Sequence, residues 1–117
     1  PTVVKPADAA FFAWFDIPRR LLLVERDPMK ALLKLTELDA VPDIAMSPLG
    51  TRLKNELTGY CYLQLKQYEQ AASVFYHAGL PYLGGYAFLM GGRLEEARQV
   101  WSLLVEKNPN HWALSLY

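Results

Sequence analysis

A single cysteine, Cys61, stands in the 117-residue sequence. One thiol excludes a disulfide within the chain and a thiolate-rich zinc site. It fits a reducing compartment, and the expected location is the cytoplasm. Cys61 lies between Tyr60 and Tyr62 in an apolar stretch, the setting of a small core residue rather than a nucleophile. Histidine is almost as scarce: His77 and His111 have no second ligand at metal-binding spacing. Charge of one sign is not in excess, since twelve basic residues balance twelve acidic ones. A nucleic-acid binder needs a basic surplus to neutralise phosphates, so that class is set aside. Long apolar runs are missing too. The longest, Ala9–Phe15, is far short of the ~20 residues that span a bilayer. The chain begins at Pro1 rather than methionine, which points to a processed or excised start.

The remaining candidates for chemistry also have simpler readings. Gly84-Gly85 and Gly91-Gly92 are not followed by Gly-Lys-Ser/Thr, so no phosphate-cradling loop is present; the glycines serve packing and turning. Glu95-Glu96 opens a helix, where carboxylates suit the dipole, and Asp39 and Asp43 fall in a connector. No catalytic residue, metal ligand or cofactor is assigned, and the expectation is a protein that is not an enzyme.

What is present is apolar: hydrophobic residues make up 52% of the chain. That argues against disorder and for one core in a single domain, residues 1–117. Prolines and glycines cut the sequence into pieces that each read as a helix, and none shows the alternation of a strand. Pro6–Phe15 is apolar nearly all round and predicts a helix buried on several sides. The next spans about Pro18–Arg26, with Asp16 as its cap. Asp27-Pro28 starts a third, with Met29, Leu32, Leu33 and Leu38 at helical spacing. Residues 40–47 read as a connector. Ser47-Pro48 starts a long helix to Leu65. Further helices are expected over Tyr68–Ala78 (ended by Gly79), Pro81–Met90 and Arg93–Lys107. The last carries Leu94, Ala97, Val100, Trp101 and Leu104 on one stripe. His111–Tyr117 reads as the start of another helix. The divisions expected are 5–47, divergent N-terminal helices; 48–80, a first repeat; 81–110, a shortened second; and 111–117.

Two helix pairs match each other. Gly59 precedes Ala71 by twelve residues, as Gly85 precedes Ala97; Phe75 follows Ala71 by four, as Trp101 follows Ala97. Tyr62 and Phe88 each follow their glycine by three. Small residues let paired helices approach, and the aromatics fill the space around that contact. Neither pair buries its apolar face alone, so the pairs must stack.

This pattern resembles the tetratricopeptide repeat, whose signature is Leu-Gly-x-x-Tyr, then Ala-x-x-x-Phe, then Pro. The first copy is Thr58-Gly59 with Tyr62, Ala71 and Phe75. The second is Gly84-Gly85 with Phe88, Ala97, Trp101 and Pro109. The copies lie 26 residues apart, against about 34 in the family. Leu83 stands where the first copy's closing proline is expected. Residues 18–38 form a third, worn copy with Ala31 and Leu35, but Arg19 occupies the small-residue position.

The resemblance implies an all-α fold, antiparallel helix pairs stacked as a short solenoid of about six or seven helices. It also implies a concave surface that holds a peptide. Carried over, the inward positions are Glu56, Tyr60, Leu63 and Gln64 on the first copy, and Tyr82, Tyr86, Leu89 and Met90 on the second. The alternative for these residues is plain core. The expected function is a protein–protein interaction module, an adaptor or assembly chaperone, with another protein or peptide segment as partner. Other readings stay open: a structural or oligomerisation segment of a larger solenoid, or a carrier of a small apolar ligand. Phe11, Phe12, Trp14 and Phe15 at one end, and Trp112, Leu114, Leu116 and Tyr117 at the other, are candidate capping surfaces or homodimer contacts.

Overall fold

A computed structural model describes residues 11–107. Seven α-helices have their bounds there: α1 (Asp16–Leu23), α2 (Pro28–Glu37), α3 (Pro42–Ala45), α4 (Pro48–Gln64), α5 (Tyr68–His77), α6 (Pro81–Met90) and α7 (Leu94–Lys107). A 3₁₀ turn, Leu38–Ala40, follows α2, and the described residues contain no strand. The chain is therefore all-α, in helices packed on their neighbours: α4 on α5, α5 on α6, and α6 on α7. On the other side α1 packs on α2, and α2 on α4. Short connections make successive helices antiparallel. The expected helix over 111–117 lies outside the described residues.

The starts follow from local chemistry. Asp27 accepts a hydrogen bond from the Lys30 amide at 3.1 Å, and Ser47 accepts one from the Gly50 amide at 3.1 Å. Proline opens α2, α3, α4 and α6, where its missing N–H costs nothing. The ends share one device. Lys66, Gly79 and Gly92 all have positive φ. The next amide then reaches back five residues: Gln67 to Tyr62, Leu80 to Phe75 and Arg93 to Phe88.

Several expectations need correction. Residues 40–47 are not a bare connector, because α3 forms within them. Asp16 does not cap; it lies inside α1, and Phe15 precedes the helix with no side-chain cap. On α2 the buried residues are Ala31 and Leu35, whereas Met29 and Leu33 are exposed. The face turned to α1 and α4 decides this. In the N-terminal aromatic group Phe15 is fully buried and Phe11 half-buried, but Phe12 and Trp14 are exposed. Leu94 on α7 is exposed as well.

Two clusters of buried side chains result. One gathers Phe15, Leu21, Leu22, Ala31, Leu35, Leu38, Ile44 and Cys61. The other gathers Ala71, Ala72, Phe75, Leu80 and Ala87. Tyr60 packs against both, so the long helix α4 joins them.

Candidate functional site

The glycines of the internal repeat show how the helix pairs close. A Cβ at Gly59 would stand 2.5 Å from Cε1 of Phe75. At Gly85 it would stand 2.5 Å from Nε1 of Trp101. Each glycine is thus the seat of its partner helix's aromatic ring, a more specific task than letting two backbones approach. Trp101 also donates its indole N–H to the Tyr82 carbonyl at 3.4 Å. Ala71, Phe75, Ala97 and Trp101 are buried, and Tyr62 and Phe88 are half-buried. Arg93 stacks its guanidinium 5.6 Å from the Phe88 ring centre and pairs with Glu69 and Glu96, linking α5, α6 and α7. The Arg93 hydrogen bond holds the Glu96 carboxyl below its usual range. Pro109 lies outside the described residues.

On α4, Glu56, Tyr60, Leu63 and Gln64 are all half-buried. The Tyr60 ring meets Phe75 edge-on, with centres 5.3 Å apart. Burial first, and then the nearby Glu56 and Tyr82, push the Tyr60 phenol above its ordinary pKa. Tyr60 of α4 and Tyr82 of α6 pack on the same buried cluster, and Glu56 lines one cleft with Tyr60. Tyr86 stands one turn beyond Tyr82 and is exposed, as is Met90 one turn further.

The remaining groove candidates do other things. Leu63 packs against the second cluster. Gln64 turns its amide back to α1, donating to the Leu22 carbonyl at 2.8 Å. That bond satisfies a carbonyl at the end of α1, where helices leave carbonyls unpaired. Leu89 lines a separate cleft of about 480 Å³ with Leu94, Ala97, Arg98 and Trp101 of α7. What the fold brings together is Glu56, Tyr60 and Tyr82, with Tyr86 and Met90 extending the same helix.

Helix α1 adds a wall that the groove carried over from the resemblance did not include. Phe15, Arg19 and Leu23 line a cleft of about 230 Å³ whose other side is Leu53, Glu56, Leu57 and Tyr60 of α4. The signal was legible: 15, 19 and 23 are four apart, one helical face. So was the misfit of Arg19 at a position where the later copies carry glycine. Burial raises the Cys61 thiol to about 11, so it stays protonated and inert near neutral pH.

No helix among the described residues is long and apolar enough to cross a membrane. Nor do they hold a group of three or more metal-ligating side chains. A tetratricopeptide-repeat family model matches residues 82–111, which take in α7 and all of α6 but its first residue. No curated protein and no solved structure matches the chain. The chain thus carries a tetratricopeptide-like helical repeat, which indicates protein–protein interaction in general terms.

Proposed function

We propose that this tetratricopeptide-like module is an adaptor or assembly chaperone that holds a peptide segment of another protein along the face formed by α4 and α6. One observation carries the reading. Tyr60 of α4 and Tyr82 of α6 pack on the same buried cluster, Glu56 lines a cleft beside Tyr60, and the exposed Tyr86 and Met90 follow Tyr82 along α6. Tyrosines offer broad rings at low entropic cost together with a hydroxyl, and methionine adapts its shape. Such a surface suits an extended chain or an amphipathic helix.

The test is a pull-down from native lysate with the whole chain as bait, beside Tyr86→Ala/Met90→Ala. Both residues are exposed, so the variant should melt with the wild type. Capture of a protein by the wild type and its loss from the variant supports the reading. Capture that the substitutions leave unchanged removes this face from it.

A second reading is favoured by the cleft between α6 and α7. In the first copy the matching surface, Leu63, Tyr68, Ala71, Ala72 and Phe75, lies against α6: a Cβ at Gly84 would sit 3.3 Å from the Ala72 carbonyl. In the second copy Leu89, Leu94, Ala97, Arg98 and Trp101 line an open cleft. On this reading the module is a structural or oligomerising segment whose stack continues there, in a larger solenoid or a homodimer. Light scattering across a concentration series tests the homodimer. A mass that rises and then plateaus at twice the monomer, and that Leu94→Glu abolishes, supports self-association through this cleft.

A further inference from the structure

Where both later helix pairs carry a glycine beneath an aromatic ring, the first pair carries Arg19. A guanidinium cannot take that seat, and α1 is turned accordingly. It buries Pro18, Leu21 and Leu22. The face bearing Phe15, Arg19 and Leu23 then meets α4 across the cleft of about 230 Å³. The cleft lies below the roughly 300–1,000 Å³ of small-molecule pockets and has room for one large apolar side chain. Phe15, the one fully buried residue of its lining, is apolar, and Leu53 and Leu57 are half-buried like Glu56 and Tyr60 beside them.

The walls carry opposite charges. Arg19 stands on the α1 side and Glu56 on the α4 side. Among the described residues neither side chain has an ion-pair or hydrogen-bond partner. Unpaired opposite charges on either side of an apolar slot favour one order of charges in whatever enters it.

We infer that this cleft is an anchor subsite for a partner peptide with one large apolar side chain, an acidic residue on its α1 side and a basic residue on its α4 side. The inference rests on the reading of the adjoining α4–α6 face as a peptide-binding surface and adds two things to it. Arg19 and Glu56 become specificity-determining residues, and the peptide acquires a direction. A partner carboxylate beside Arg19 makes a charge-assisted bond, bidentate where geometry allows, next to a desolvated anchor.

A phage-displayed library of random nonapeptides, selected against the full chain, tests this. Enriched peptides are then titrated by fluorescence anisotropy against the wild type, Arg19→Gln, Arg19→Glu, the exchange Arg19→Glu/Glu56→Arg, and Tyr86→Ala. Far-UV circular dichroism checks each fold, and the uncharged Arg19→Gln carries the test if the charge reversals fail to fold. The expected result is enrichment of a large apolar residue flanked by an acid and a base, in one of the two orders. Arg19→Gln and Arg19→Glu should weaken those peptides roughly tenfold or more, and the exchange should prefer the other order. Enriched peptides in no single order, or undiminished on Arg19→Gln, overturn the subsite; if Tyr86→Ala still weakens them, the α4–α6 face stands. A wild-type chain that enriches nothing overturns both.

Discussion

A single methyl group measures how tightly the helix pairs close. At Gly59 it would run into the Phe75 ring, and at Gly85 into the Trp101 indole. The Phe75 ring is fully buried, and the Trp101 indole is held by its hydrogen bond to the Tyr82 carbonyl. Gly59→Ala and Gly85→Ala should each destabilise the fold by about 1–3 kcal/mol despite alanine's better helix propensity. Urea denaturation measures this, and a neutral or stabilising result would show that the rings swing aside. Cys61 gives a second residue-scale outcome. Its folded pKa is about 11 against an ordinary 9.0. The unfolded chain loses that proton first, so above pH 9.0 the unfolded state binds fewer protons. The stability contribution is fully present below pH 9.0 and is lost as pH rises towards about 11. The raised Tyr60 acts in the same direction. Urea midpoints through that window should fall with pH, and less steeply in Cys61→Ala.

At the scale of the element, the caps explain why most helices were legible. Asp27-Pro28, Ser47-Pro48 and Pro81 place their starts, and Gly79 and the Gly91-Gly92 turn place two of the ends. These signals act through the backbone within a few residues and need no tertiary contact. Two ends depart from glycine, at Arg26 and Lys66. Lys66 takes the left-handed conformation, at φ 60, that Gly92 supplies in the second copy, at φ 79. A Cβ there costs on the order of 1 kcal/mol. Lys66→Gly should therefore raise stability by about that amount, less the flexibility gained by the unfolded chain, while Gly92→Ala should lower it. Thermal melts of the two variants check the pair of opposite signs. On α2 the inward stripe was legible only through the repeat: Ala31 and Leu35, at the positions of Ala71 and Phe75, are buried, whereas Met29 and Leu33, which helical spacing alone also offered, are exposed.

Across the whole molecule, α4 carries the connection. Tyr60 touches both buried clusters, and Gln64 bonds back to the end of α1. Tryptophan fluorescence and far-UV circular dichroism should accordingly trace one coincident urea transition. Tyr60→Ala should separate the two curves, because it loosens the link between the clusters. Coincident curves in that variant would mean that the helix contacts alone suffice. The candidate site belongs to this scale as well. Glu56, Tyr60, Tyr82 and Tyr86 were named from the repeat alignment, but the α1 wall was not, since alignment to the later copies has no place for an arginine.

The helical class, most helix bounds and the repeated spacing of glycine, alanine and aromatic could be read from the chain alone. Each depends on backbone preference or on spacing along one helix. That Gln64 serves α1, that Leu89 faces α7, and that Arg19 looks across a cleft at Glu56 came only with the packed fold. Those outcomes depend on how each helix rotates against its neighbours. Side chains from several helices compete for that rotation, so no local pattern can determine it.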